Sequence, residues 1–369
     1  MDVREKRNVT GDIVYLLRCA IRQEAPDRER VEAMNLELVY EEAERHKLAA
    51  AVGMALELAG VVNGRFVQAV AMAQRKAALL DADKAAVLER LEAAGIWHMP
   101  LKGAILKDLY PRFGMREMSD IDILFDKSRA EDVKGIMESL GFTIKSYGKR
   151  NDDDYMKPPV SNFEMHKDLF LNAFHPELHR YYVNIKEKLI PDAEGRFSYH
   201  FTDEDFYLYV IAHEHAHYSS GGTGLRSLLD TYVYLKDKSL DMEYVRREAE
   251  KIGIAEFEPK NRRLSFHLFD GEALSDDDQA MLDYIVSSGA YGTTVNHANN
   301  EIRQKGRLGY FFSKLSFSPE KLAVLYPVLK KAPFLYPVFW VLRLLRGLFQ
   351  YNQIVMTELK AILSKKKHE

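Results

Sequence analysis

Two aspartates, Asp120 and Asp122, flank an isoleucine in the run DIDILF at 120–125. Side chains on a strand alternate between faces, so a strand here sets both carboxylates on one side and Ile121, Ile123 and Phe125 on the other. Two bare anions that close repel each other, and a cation between them removes the penalty. Hard divalent ions such as Mg²⁺ or Mn²⁺ prefer carboxylate oxygen, and a pair of such ions is the usual device for in-line phosphoryl or nucleotidyl transfer. A third carboxylate on a neighbouring strand would complete the site. Glu164, between Phe163 and Met165 in the extended run VSNFEMH at 160–166, is the expected residue. Glu177 is the rival, but Pro176 opens a helix and makes Glu177 a first-turn glutamate facing the helix dipole.

Upstream, Ile96 to Leu101 reads as a short buried strand, Lys102-Gly103 as a tight turn, and Ala104 to Tyr110 as a helix. A glycine turn opening a helix leaves free N–H groups and a positive dipole end, which suits a triphosphate, and Lys102 adds a mobile charge. Arg116, four residues before Asp120, either neutralises phosphate oxygens or holds the loop. Ser119 adjoins the aspartate pair. A second chemistry is spelled at His213-Glu214-His215-Ala216-His217, which satisfies H-E-x-x-H. On a helix His213 and His217 share a face and could bind zinc with Glu214 as general base, the signature of a zinc hydrolase. The following SSGGTGLRSLLD offers only Asp230 as a nearby third ligand, however. Phe206, Val210, His213 and His217 also form one stripe, as packed histidines would. Arg226 and Asp230 stand at i and i+4, where an intrahelical ion pair is expected.

The elements that must position these residues follow from periodicity. Residues 11–94 are helical in pattern, the stretch at about 95–200 is a small α/β unit, and helices return from Phe201. This predicts an α+β fold: a mixed-sheet core at 95–200 between an N-terminal helical region, 1–94, and a C-terminal helical domain, 201–369. Within the core, Ser128 to Leu140 is a helix capped by Ser128 and stopped by Gly141, and Phe142 to Ile144 is a strand. Asp152 to Asp154 reads as a solvated, mobile loop. Thr202, with Asp205 three residues on, opens the helix that carries the histidines.

Composition narrows the partners. The formal net charge of −3 gives no basic excess and argues against a long nucleic-acid acceptor. A single cysteine, Cys19, excludes an intramolecular disulfide and thiolate-rich zinc sites and fits a reducing compartment. The N-terminus has no signal-peptide pattern, so a cytoplasmic location is expected. Pro333 to Phe349 is the most apolar stretch, but Pro337, Arg343 and Arg346 interrupt it well short of the roughly 20 residues a span needs. It reads as a docked or interfacial helix with possible peripheral membrane contact.

The order K-G-x-x-L followed by R-x-M-S-D-I-D-I-L resembles the nucleotidyltransferase superfamily with the DNA polymerase β-like core, in particular its bacterial uncharacterised nucleotidyltransferase family. Gly103, Asp120, Asp122 and Glu164 match the superfamily's glycine turn and three acidic positions. F-E-M-H at 163–166, H-x-x-x-H at 213–217, R-x-x-x-D at 226–230 and the Y-P then P-x-x-x-P tail at 326–337 extend the likeness over about 95–345. Ala104 stands where much of the superfamily has serine, and Lys102 substitutes for the lost hydroxyl. The resemblance implies transfer of a nucleoside monophosphate from an NTP, with ATP favoured, to an acceptor hydroxyl. It further implies two Mg²⁺ or Mn²⁺ ions on Asp120, Asp122 and Glu164, and a nucleotide cleft lined by Lys102, Gly103, Arg116, Ser119, His213, His217, Arg226 and Asp230. A non-catalytic regulator of the toxin–antitoxin type on the same fold is the remaining alternative.

Overall fold

The computed structural model describes residues 2–193, 195–350 and Met356. Five helices open the chain: α1 (Val3–Arg22), α2 (Arg28–Glu32), α3 (Leu36–Arg45), α4 (Ala49–Leu58) and the long α5 (Gly64–Ala93). The α/β unit follows as β1 (His98–Pro100), α6 (Gly103–Leu106), β2 (Ile121–Phe125), α7 (Ala130–Ser139), β3 (Thr143–Ser146), β4 (Asp152–Lys157), β5 (Ser161–His166) and α8 (Pro176–Tyr182), with a small hairpin of β6 (Ile190–Pro191) and β7 (Tyr199–His200). Then come α9 (Asp203–Ser220), α10 (Leu225–Leu235), α11 (Met242–Lys251), α12 (Phe257–Asp270), α13 (Asp276–Ser288), α14 (Thr294–Leu315), α15 (Pro319–Leu325) and α16 (Tyr336–Gln350). The fold is α+β.

The sheet order is β1-β2-β5-β4-β3, with β2 and β5 parallel and every other pair antiparallel. All five residues of β2 are buried, because helices cover both faces of this strand. Ile121, Ile123 and Phe125 pack with Phe163, Met165 and Tyr155 against Leu80, Val87 and Leu91 of α5 and Val133 and Met137 of α7. On the opposite face, Leu124 joins Met99, Leu101 and the apolar side of α9. Each large apolar side chain buried this way contributes about 1.5–3 kcal/mol. A slip of one residue would turn Asp122 into the α5 core, so the register is firmly set.

Helices from the two ends of the chain share another core. Ile13, Leu16, Leu17 and Val52 pack with Leu228, Leu229, Leu264 and Ile285. Thr202 accepts a hydrogen bond from the Asp205 backbone N–H and caps α9 as expected. Gly141, with φ of 84°, ends the α7 segment. Three expectations change. The expected helix at 104–110 is a four-residue α6 running into a 3₁₀ turn at 107–109. Asp126, not Ser128, caps the segment leading into α7, accepting from the Ser128 N–H. Asp152 to Asp154 is not a solvated loop but the start of β4, paired residue for residue with β5. Asp153 is buried there because the Lys167 ammonium and the Gly148 N–H satisfy its carboxylate, so acidic composition did not prevent a strand.

Candidate active site

The parallel pairing of β2 with β5 puts Asp122 directly beside Glu164. Two residues further along β5 the same alternation brings His166 to this face, where its Nε2 lies 2.8 Å from Asp122 Oδ1 and 3.6 Å from Glu164 Oε2. One ligand-capable atom from each of Asp122, Glu164 and His166 falls within 4.8 Å of the others. Asp120 sits just ahead of β2, half-buried, close enough to feel the charges of both carboxylates. Lys102 closes the group from the β1–α6 turn, donating from Nζ to Asp122 Oδ1 at 2.9 Å.

The charges in this group are unequally served. Burial opposes ionisation of Asp122, but the Lys102 ammonium and the His166 imidazole overcome it and hold the carboxyl far below its usual range. Burial would likewise discourage a charge on His166, yet its hydrogen bonds to Asp122 and Glu164 raise it to about 9. Asp120 has no such support. Burial and then the negative charges of Asp122 and Glu164 push it up to about 6, with only partial relief from Lys102 and Arg226. Three carboxylates thus face one ammonium and one imidazole, and Asp120 bears the excess. A group that strains against its own negative charge, with oxygen donors in close reach, has the chemistry of a divalent-cation site.

The turn beneath the site explains its glycine. Lys102 adopts φ 42° and ψ −114°, a conformation that costs a side chain energy and is held here by its surroundings. Gly103 itself is ordinary in backbone but has no room: a Cβ would sit 2.6 Å from Arg116 Nη1 and 3.0 Å from Met118 Cε. Arg116 is fixed in that place by a two-pronged pair with Asp230 of α10, Nε to Oδ1 at 2.7 Å and Nη2 to Oδ2 at 2.9 Å. Tyr110 adds its hydroxyl to Asp230 Oδ1 at 2.7 Å. Arg116 and Asp230 are both buried.

The expected ion pair between Arg226 and Asp230 does not form. Arg226 donates instead to the Glu117 carbonyl at 3.1 Å, so both residues of α10 fasten the 111–119 loop. Ser119 Oγ is bonded to the exposed Tyr291 hydroxyl, and its carbonyl accepts from Lys76 of α5 at 3.0 Å. Lys76 also feels the negative charge of Asp120.

Helix α9 faces the group from above. His213 and His217 point the same way, their Nε2 atoms 3.3 Å apart, with His213 half-buried and His217 at the exposed rim. Burial and the nearby Lys102 ammonium keep the His213 imidazole neutral at pH 7. Glu214, next to His213 on α9, is buried in the helical core, where Asn261 Nδ2 donates to it at 2.8 Å and burial raises its carboxyl to about 7. This dismantles the H-E-x-x-H zinc arrangement: Glu214 cannot serve a metal on the histidine face. Among the described residues no third protein ligand joins His213 and His217. Glu177 stands in the first turn of α8, beside Gly253.

His166 and Lys76 are the residues that sequence reasoning did not place here. His166 was within reach, since it follows Glu164 by two on a strand. Lys76 was not, because nothing in a long, evenly charged helix marks the one lysine that folds against a loop 43 residues away. Residues 32–270 match the model of a protein family described as "Uncharacterised nucleotidyltransferase". The match takes in helices α3 to α5, earlier than the motifs alone suggest, and stops short of the proline-punctuated tail at 326–337. No curated protein and no solved structure matches the chain.

Proposed function

Because this chain belongs to the uncharacterised nucleotidyltransferase family, we propose that it transfers a nucleoside monophosphate from an NTP to an acceptor hydroxyl and releases pyrophosphate. General nucleotidyltransferase activity rests on the family; the details rest on the residues of the site. The observation that carries them is the crowding of Asp120, Asp122 and Glu164 at one edge of β2 and β5, with Asp120 pushed up to about 6 for want of positive charge. Asp120, Asp122 and Glu164 are the residues that would hold two Mg²⁺ or Mn²⁺ ions, which would supply neutralisation of phosphate charge and a more acidic acceptor hydroxyl.

The protein's own side chains have separate tasks. Lys102 Nζ, now on Asp122, exchanges that partner for the β and γ phosphate oxygens of the nucleotide. Gly103 lets the backbone approach them. Arg226, which already relieves Asp120, and Lys76 supply further positive charge at the mouth of the site. Glu164 receives the proton of the attacking hydroxyl. His166 Nε2 holds Asp122 and Glu164 in place. His213 and His217, neutral and facing the cluster, line the pocket for base or acceptor. Arg116, Asp230 and Ser119 keep the 111–119 loop in position, so catalysis is mainly alignment and charge neutralisation. ATP is the expected donor.

The test is incubation of the full chain with each α-labelled NTP and Mg²⁺ or Mn²⁺, with and without cell lysate. Label should pass to a macromolecule or metabolite, and Asp120→Asn should abolish it. Transfer that persists unchanged in that variant would refute the assignment.

A further inference from the structure

Most of the large apolar side chains left open to solvent lie beyond residue 290. The arrangement on α16 is the reverse of an ordinary surface helix. Val338, Val341, Leu342 and Leu345, spaced at i, i+3, i+4 and i+7, form one continuous stripe, and each is 45–54% exposed. The opposite side of α16 packs inward, with Phe339 against Tyr326. Phe334, just ahead of the helix, is 79% exposed, and Leu308 and Phe312, one turn apart on α14, are 75% and 61% exposed. Scattered exposed residues need no explanation, but a stripe of this kind calls for a covering surface.

Charge identifies what covers it. Residues 301–350 hold nine lysines and arginines and two glutamates, a net of +7 in a chain whose formal net charge is −3. A second copy of the chain would bring two such positive surfaces face to face. No described helix is long and apolar enough to cross a membrane. Short helices with an apolar face, flanking basic residues and an exposed aromatic such as Phe334 have the composition that lies in the plane of a bilayer surface. We propose that the α14–α16 segment docks the protein on an anionic phospholipid surface, with the Val338–Leu345 stripe and Phe334 set into the headgroup boundary and the exposed Lys330 and Lys331 meeting lipid phosphates.

The experiment is flotation of the full chain with vesicles of phosphatidylcholine alone, or of equal parts phosphatidylcholine and phosphatidylglycerol, at low and high salt. Binding to the anionic vesicles should exceed binding to the neutral ones by about tenfold or more and should weaken with salt. Val341→Glu combined with Leu345→Glu should reduce it by about tenfold, as should Lys330→Glu combined with Lys331→Glu, because apolar and ionic contacts act together. All of these positions are exposed, and unchanged melting curves would confirm that the variants fold. No vesicle binding, equal binding to both vesicle types, or variants that bind like the parent would overturn the proposal. So would a dimer in lipid-free solution that the stripe variant splits while vesicles go unbound, which would make a second copy the occupant.

Discussion

Two buried charge clusters meet at the Lys102–Gly103 turn, and they are built on opposite terms. In the first, Arg116 is matched by Asp230 through two parallel hydrogen bonds, and Tyr110 fills the remaining demand on Asp230 Oδ1. In the second, Asp120, Asp122 and Glu164 share Lys102 and His166, and Asp120 is left in surplus. A balanced buried pair has nothing left to offer a ligand and serves to hold the loop against α10. An unbalanced one stores repulsion that a cationic ligand relieves. Residues in the first cluster should therefore matter to stability, and those in the second to activity, although Gly103 and Lys102 are neighbours in the chain.

The strongest way to break this contrast is substitution of one carboxylate from each cluster. Asp230→Asn should destabilise the fold by about 3–5 kcal/mol, because it strands a buried guanidinium. Denaturant unfolding measures this, and a loss below about 1 kcal/mol would mean that Arg116 finds another partner. Asp122→Asn should lower nucleotidyl transfer at least about a hundredfold while the protein stays folded, as judged by activity and melting together.

Gly103→Ala tests how firmly the balanced cluster grips. The added methyl meets Arg116 Nη1, which Asp230 prevents from moving away, so a cost of about 1–3 kcal/mol is expected. In an Asp230→Asn background Arg116 is freer, and the same change should cost less. Equal costs in both backgrounds would show that the two groups are uncoupled.

The unbalanced cluster should reveal itself in pH dependence. Asp120 has a folded pKa of about 6 against an ordinary 3.8, so its protonated form is favoured by the fold. Without divalent ions, that contribution to stability is present below about pH 3.8 and is lost as pH rises through about 6. Asp120→Asn should remove this fall and leave the protein about 1–2 kcal/mol more stable at pH 8, while transfer is lost. Mg²⁺ or Mn²⁺ should raise the melting temperature of the parent at pH 8 and have little effect on the variant. A step of the same sign and similar size belongs to Glu214, whose contribution is present below 4.5 and lost as pH rises through about 7. Glu214→Gln should remove that step and spare transfer, because its side chain faces Asn261 in the helical core.

Much of the second cluster could be read from the sequence, and little of the first. Strand alternation is local, so DIDILF and FEMH announce Asp122, Glu164 and, by the same rule, His166. The parallel register that sets Asp122 beside Glu164 is a tertiary fact. Arg116 and Asp230 lie 114 residues apart, and sequence spacing suggested a partner for Asp230 within its own helix. The helix macrodipole and a glycine pointed to the turn at 102–103, but the crowding that demands glycine comes from Arg116 and Met118 across the loop. Asp152 to Asp154 looked like a loop because acidic residues are poor strand formers. Pairing on both sides of β4 and the Lys167 ammonium on Asp153 outweighed that preference.

The most direct test is anomalous diffraction from crystals of the protein grown with Mn²⁺ and a non-hydrolysable NTP. Mn²⁺ density bounded by the carboxylates of Asp120, Asp122 and Glu164, with Lys102 Nζ moved from Asp122 onto a phosphate, is the expected result. Mn²⁺ bound only elsewhere, with Lys102 still on Asp122 at saturating nucleotide, would contradict a catalytic role for the unbalanced cluster.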